Sequence, residues 1–228
     1  MNQQVQSVAF VTVAHHTADE ERALTTVNGE VLLKHTVRGL LGTPELDLVL
    51  VSAPSRCAES FSDALFSGTA SDLGPELSDR CRFVPGASLR QVFPAVEPSL
   101  SPGAVVLVHD ALRAFTPQRT VRDVLNTVRA GASVVVPVLP MADTVKATDA
   151  GLITATVDRD GLRTAQTPIG FSLDAFRAAL ASSPTPGLDS VAGATTVPGD
   201  PDAMRVASAF ELTLAEALVA GGDQEAPL

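Results

Sequence analysis

The stretch that most limits what this chain can fold into is Val105–Val108, followed at once by His109-Asp110-Ala111-Leu112-Arg113. A short, unbroken apolar run rich in β-branched residues is too brief for a helix. It reads as a strand buried on both faces, as in a parallel sheet. Pro117 then opens a helical pattern with Val121, Val124, Leu125 and Val128 on one face, closed by Gly131. A second apolar run, Val134–Val138, follows. Strand, helix, strand in this order predicts a βαβ unit with a right-handed crossover. Asp110 and Arg113 then fall just past the C-terminal end of a central strand, where open α/β sheets bind ligands.

With 228 residues the chain reads as one domain, residues 1–228, long enough to bury a sizeable core. Tyr and Trp are absent, so nine Phe residues must supply the large side chains. A net charge of −10 without any Lys/Arg block argues against a nucleic-acid partner. No apolar run is long enough for a membrane span and no signal-peptide pattern opens the chain, so no membrane partner is expected. Cys57 and Cys81 have neither metal-ligand spacing nor a disulfide framework, and read as reduced thiols of a cytoplasmic protein.

Elsewhere, Val8–Ala14 reads as the first strand, and His15–Arg22 as a polar turn without glycine. His15 and His16 are adjacent, so they do not share a face, and no third ligand follows at metal spacing; a solvated loop is the better reading. Asn28-Gly29 marks a tight hairpin turn. Val31, Leu32, His35, Val37 and Leu41 have helical spacing, with His35 packed or at the surface. Leu46–Ser52 is a second buried strand, Ala58–Phe66 a helix, Ser67–Asp79 a variable loop and Arg80–Val84 a short strand. Arg90 opens a helix running to Val96 and faces either a ligand or solvent. The stretch 144–157, turned by Asp149-Ala150-Gly151, alternates Val/Ile with Thr and predicts a protruding β-hairpin arm. An arm this small has little core of its own, so it should pad against a second subunit. Ser172 is the expected N-cap of a helix Leu173–Ala181. A short strand at Ala194–Val197 precedes a last helix, Ala209–Ala220, with Phe210, Leu214, Leu218 and Val219 on one face. Residues 221–228 read as a frayed tail.

The stretches VVLVHDALRAFTP, VVVPVLPMADTVKATDAG, TVDRDGLRTAQTPIGF and VPGDPDAMRV resemble, in order and spacing, the methylerythritol-phosphate cytidylyltransferase family and its polyol-phosphate relatives. The resemblance implies an α/β, Rossmann-like nucleotidyltransferase fold with a mostly parallel sheet. It also implies a homodimer clasped by the β-arms, and Mg²⁺-dependent reaction of CTP with a polyol phosphate in isoprenoid precursor synthesis. By the same resemblance Asp110 is the metal carboxylate, and Arg113, Thr144, Arg159 and Thr167 contact the polyol phosphate, Arg159 reaching into the partner's site. Arg22 and Arg205 stand where the family has basic catalytic residues, and Ala14 and Arg90 fall on the nucleotide side.

The departures cluster on that nucleotide side. Where the family has a glycine-rich loop that wraps the CTP phosphates, this chain has HHTADEER, without glycine. Such a segment does not readily form the φ > 0 nest that cradles phosphate, and Asp19, Glu20 and Glu21 are expected to set carboxylates against the triphosphate. The family's Gly-Gly-x-x-Arg-x-x-Ser/Thr becomes Gly86-Ala87-Ser88-Leu89-Arg90-Gln91-Val92-Phe93, a phenyl ring replacing a hydroxyl. Three readings follow: a cytidylyltransferase weakened at the nucleotide loop, a non-catalytic binder of a phosphorylated polyol, and a dimeric interaction protein.

Overall fold

The computed structural model describes residues 4–13, 17–66 and 79–222. Expectations for Ala14, His15, His16, residues 67–78 and residues 223–228 lie outside the described residues.

In chain order the elements are β1 (Val5–Thr12), α1 (Thr17–Ala23), the hairpin β2 (Thr26–Val27) and β3 (Glu30–Val31), α2 (Leu32–Leu41), β4 (Leu48–Ala53) and α3 (Ala58–Phe66). There follow β5 (Cys81–Pro85), α4 (Leu89–Val92), β6 (Leu100–Asp110), α5 (Gln118–Arg129) and β7 (Val134–Pro140). The chain continues through β8 (Lys146–Asp149), β9 (Leu152–Thr156), β10 (Arg163–Ala165), β11 (Ile169–Ser172), α6 (Leu173–Ser182), β12 (Thr195–Pro198) and α7 (Ala209–Gly222).

Alternation along the strands fills both faces of one sheet. Ala9 and Val11 point to a cluster with α2, α3 and α5, while Val8 and Phe10 point to one with α4 and α6. All four apolar residues of the α5 stripe are buried, as their spacing predicts, each contributing about 1.5–3 kcal/mol. Gly170 lets α5 lie close on β11: a Cβ there would meet Val124 Cγ1 at 2.5 Å.

The sheet is mostly parallel. β1 pairs in parallel with β4 and β6, β4 with β5, and β12 with β7. β6 and β7 flank the predicted βαβ helix but are not neighbours, because β11 inserts between them, antiparallel to both. β10 and β11 run antiparallel along β7, and their register shifts where Gln166-Thr167-Pro168 interrupts them. That interruption, with a cis Thr167–Pro168 bond, carries Thr167 to the end of β6. The C-terminal ends of β1 and β6 come level, Thr12 opposite Asp110.

Three local expectations change. His15–Arg22 is not wholly a turn, since Thr17–Ala23 is helical. The last helix extends to Gly222, into the expected tail. It is apolar nearly all round and turns Ala215, Leu212 and Val219 to the core, leaving Phe210 and Leu214 exposed. The expected hairpins form: Asn28 and Gly29 take positive φ in one, Ala150 and Gly151 in the other. β8 and β9 form a separate two-stranded arm, every residue of β9 exposed.

Candidate active site

At the C-terminal end of β6 the chain turns sharply, and one carboxylate organises the turn. Asp110 Oδ1 accepts the Leu112 N–H at 3.0 Å, and Asp110 O accepts the Arg113 N–H at 3.0 Å. These local bonds suit the short side chain of Asp in a turn. The neighbouring His109 is buried, with Nε2 3.1 Å from Arg113 O and Nδ1 3.1 Å from Thr167 Oγ1. Thr167 Oγ1 also accepts the Asp110 N–H at 3.1 Å.

Arg205 arrives from far along the chain on a segment tied down by its backbone. Gln166 and Asp200 exchange two hydrogen bonds, Nε2 to the Asp200 carbonyl at 2.7 Å and the Asp200 N–H to Oε1 at 2.9 Å. Gly199 permits that contact, since a Cβ there would meet Gln166 Oε1 at 2.4 Å. The Val206 N–H reaches Leu112 O at 2.8 Å, which docks this segment on the β6 turn. Arg205 Nε then lies 2.6 Å from Asp110 Oδ2, while its Nη2 lies 2.8 Å from Asp19 Oδ2 on α1. Burial lowers the Arg205 pKa, but the two carboxylates outweigh it and the net shift is upward.

Arg113 donates from Nη1 to Ala203 O at 2.6 Å, while its Nε is buried without a partner. Burial pushes its pKa down, Asp110 opposing and Arg205 adding to the push. An unpaired buried guanidinium N–H is costly.

Asp110, Thr167, Arg205 and Thr12 line a cleft of about 320 Å³, roofed by the segment 185–188. A roomier cavity of about 500 Å³ lies between α2 and the 114–118 loop. We place the candidate site in the smaller cleft because the paired Asp110 and Arg205 and the hydroxyl of Thr167 meet there at the strand end. Beside it, between Ser52, Gly86, Ser88 and Thr185, only about 10 Å³ is open. The Leu89 N–H bonds Thr185 Oγ1 at 3.2 Å and the Arg90 N–H bonds Pro184 O at 2.9 Å, which holds the roof down over that side.

A magnesium ion fits this donor set. Each Asp110 oxygen accepts one hydrogen bond and retains a lone pair. No group of three or more His, Cys, Asp or Glu residues gathers among the described residues. A metal held by Asp110 would draw its other ligands from water and a phosphate-bearing ligand, which is the habit of Mg²⁺.

Of the residues singled out from sequence, the structure brings Asp110, Arg113, Thr167 and Arg205 together. Arg22 is half-buried on α1, its charge felt at Glu211 at the start of α7. Arg90 is drawn to the end of α6, where its guanidinium donates to Leu180 O and Ala181 O. Thr144 and Arg159 stand at the base of the arm, exposed, Arg159 donating to Ala142 O. Only one of the three acidic residues of α1 reaches the cluster: Glu20 is buried against Arg56, and Glu21 faces solvent. The phenyl ring of Phe93 lies in the core, 5.1 Å from Phe176 and 6.2 Å from Phe10, rather than on the nucleotide side. Sequence reasoning misses the Asp19–Arg205 link and the bridging ring of His109. Neither carries a local signal, since their partners lie far along the chain.

The sequence profile of the family described as 2-C-methyl-D-erythritol 4-phosphate cytidylyltransferase matches residues 13–221. A protein of that name from Saccharopolyspora erythraea is 41% identical over 212 residues, 87% of this chain and 91% of the relative. One from Nocardia farcinica is 37% identical over 208 residues, 87% of this chain and 85% of the relative. Among solved structures, the cytidylyltransferase of that name from Thermus thermophilus superposes with a TM-score of 0.68 at 25% identity. That match covers 95% of this chain and 99% of the other. The 4-diphosphocytidyl-2C-methyl-D-erythritol synthase from Anaerococcus prevotii gives a TM-score of 0.72 at 19% identity, covering 94% and 96%.

Proposed function

Because the chain belongs to the 2-C-methyl-D-erythritol 4-phosphate cytidylyltransferase family, we propose that it transfers the cytidylyl group of CTP to a methylerythritol-type polyol phosphate, with Mg²⁺, at a rate held low by weak nucleotide binding. The observation that carries this reading is the meeting of Asp110, Thr167 and Arg205 at one strand-end cleft, with the Arg113 guanidinium buried close to Asp110. The two free thiols, Cys57 and Cys81, suit a reducing compartment such as the cytoplasm.

In this reading the Arg113 guanidinium turns towards the cleft to orient the acceptor phosphate. An oxygen of that phosphate attacks the α-phosphorus of CTP, the bond to the bridging oxygen breaks, and pyrophosphate leaves. Asp110 would hold a magnesium ion together with the nucleotide's phosphates, and the ion would supply charge neutralisation there. Arg205 turns from the carboxylates to the phosphate oxygens that gain charge. Arg22 adds positive charge from α1, and Arg159 and Thr144 of the partner's arm complete the acceptor site. Catalysis of this kind is mostly positioning and electrostatic stabilisation, so no side-chain nucleophile is required. Weak nucleotide binding is supported by the acidic helix that stands where a phosphate-wrapping loop would be, and by the near-closed space at Gly86–Ser88.

Calorimetric titrations with methylerythritol phosphate, and separately with CTP and Mg²⁺, test the proposal. The acceptor should bind within the usual micromolar-to-millimolar window, and CTP only at about 1 mM or above. Failure of the acceptor to bind would refute it. A non-catalytic phosphate-binding role is the second reading, favoured by the Asp110–Arg205–Asp19 link, which sets a guanidinium against the carboxylate expected to hold the metal. Acceptor binding without any cytidylyl product would select it.

A further inference from the structure

His109 touches the site through both ring nitrogens without lining the cleft. Its ring is 1% exposed and bridges the β6 turn to the Thr167 interruption. The Nε2 atom lies 3.1 Å from Arg113 O, and a carbonyl can only accept, so Nε2 carries the proton. A neutral ring then leaves Nδ1 bare. Thr167 Oγ1 stands 3.1 Å from Nδ1, so the hydroxyl donates its single proton to that nitrogen. The same oxygen accepts the Asp110 N–H at 3.1 Å. A hydroxyl has one donor and two acceptor positions, and only a lone pair remains to face the cleft.

We propose that His109 is a positioning residue that fixes Thr167 as a hydrogen-bond acceptor, so that Thr167 selects an O–H donor on the polyol rather than a phosphate oxygen. The inference rests on the polyol-phosphate reading above. It reassigns Thr167, which the family resemblance places among the polyol-phosphate contacts, and leaves the phosphate to the guanidinium groups of the site. A phosphate oxygen at Thr167 would meet lone pair against lone pair. A polyol hydroxyl would complete the network, as would a water held on a cation, and the test must separate these two sources.

Two variants separate the two ring nitrogens. His109→Gln keeps a donor for Arg113 O and removes the acceptor for Thr167, releasing the Thr167 proton into the cleft. His109→Asn restores an acceptor at the Nδ1 position. Affinities for methylerythritol phosphate and for inorganic phosphate should be measured in the full chain, with and without Mg²⁺. In His109→Gln the ratio of the two affinities should fall about fivefold in favour of inorganic phosphate, the size of one neutral hydrogen bond. In His109→Asn the ratio should return to that of the wild type. A purely structural role for His109 would weaken both probes alike in His109→Gln, and that result would overturn the proposal. A ratio that changes only with Mg²⁺ present would assign the donor to metal-held water and overturn the polyol assignment. Independently of any ligand, ¹⁵N spectra of the wild type at pH 7.5 should show a proton on Nε2 and none on Nδ1. A protonated Nδ1 would refute the polarity argument even if the variants fail to fold. If the spectra agree and no acceptor binds, the functional reading fails while the polarity of Thr167 stands.

Discussion

Arg205 Nε lies 2.6 Å from Asp110 Oδ2, so the carboxylate best placed to hold a metal is already bridged by a guanidinium. The same guanidinium is held from its other side by Asp19 on α1, at 2.8 Å. In the proposed reaction a nucleotide and its metal would meet this internal ion pair at the Asp110 carboxylate. The two carboxylates differ in place: Asp110 lines the cleft at the end of β6 and is the one the proposed reaction uses, whereas Asp19 holds Arg205 from α1.

Asp19→Asn should loosen that hold and favour the nucleotide. The partners are half-buried, and such pairs are worth up to about 1 kcal/mol, so affinity for CTP with Mg²⁺ should rise roughly threefold to fivefold. Calorimetry at low and high salt checks this. The gain should shrink as salt screens the pair, and an unchanged or weaker affinity at low salt would mean that Asp19 does not restrain Arg205.

Arg90→Ala should act on stability rather than on nucleotide binding. Its guanidinium satisfies two terminal carbonyls of α6, and losing such charge-assisted contacts should lower stability by about 1–2 kcal/mol. Urea unfolding measures that loss. An affinity for CTP reduced tenfold with unchanged stability would restore Arg90 to the nucleotide site.

Burial holds the pKa of His109 down, from 6.5 to about 4, with the Asp110 charge opposing. The unfolded chain takes up this proton below pH 6.5, whereas the folded chain resists until about pH 4. The contribution is therefore complete above pH 6.5 and is lost as pH falls towards 4, roughly 3 kcal/mol in all. Denaturation at pH 7.5, 5.5 and 4.5 should show the slope in the wild type and a shallower one in His109→Gln.

The arm exposes Leu152 at 72% and Ile153 at 69%, which is much apolar surface for a two-stranded hairpin to leave in water. We expect a dimer through the arm. Leu152→Asp combined with Ile153→Asp should reduce the mass seen by light scattering to that of a 23.6 kDa monomer. Mixed dimers of Arg113→Ala and Arg159→Ala chains should keep one intact acceptor site. Binding no better than in either pure variant would end the shared-site idea.

What can be read from the sequence is local. The β6 run, the α5 stripe from Val121 to Val128 and the turns at Asn28-Gly29 and Ala150-Gly151 each carry their signal within a few residues. The placement of β11 between β6 and β7 cannot be read, because the pairing of Phe171 with Val106 and Val134 is set by tertiary contacts. The same limit hides the partners of α1. Asp19 and Glu20 are adjacent in sequence, yet one meets Arg205 and the other Arg56. Phe93 reads in sequence as damage to a nucleotide site because the stacking of Phe10 and Phe176 beneath it arises only in the folded chain.

The most direct test of the whole account is pyrophosphate release with CTP, Mg²⁺ and methylerythritol phosphate, measured for the native chain and for a chimera carrying a glycine-rich loop in place of residues 15–22. The account predicts native turnover well below about 1 s⁻¹ and a rise of on the order of a hundredfold in the chimera, the worth of about two recovered charge-assisted hydrogen bonds. Native turnover at about 1 s⁻¹ or faster, with no gain from the glycine-rich loop, would contradict it.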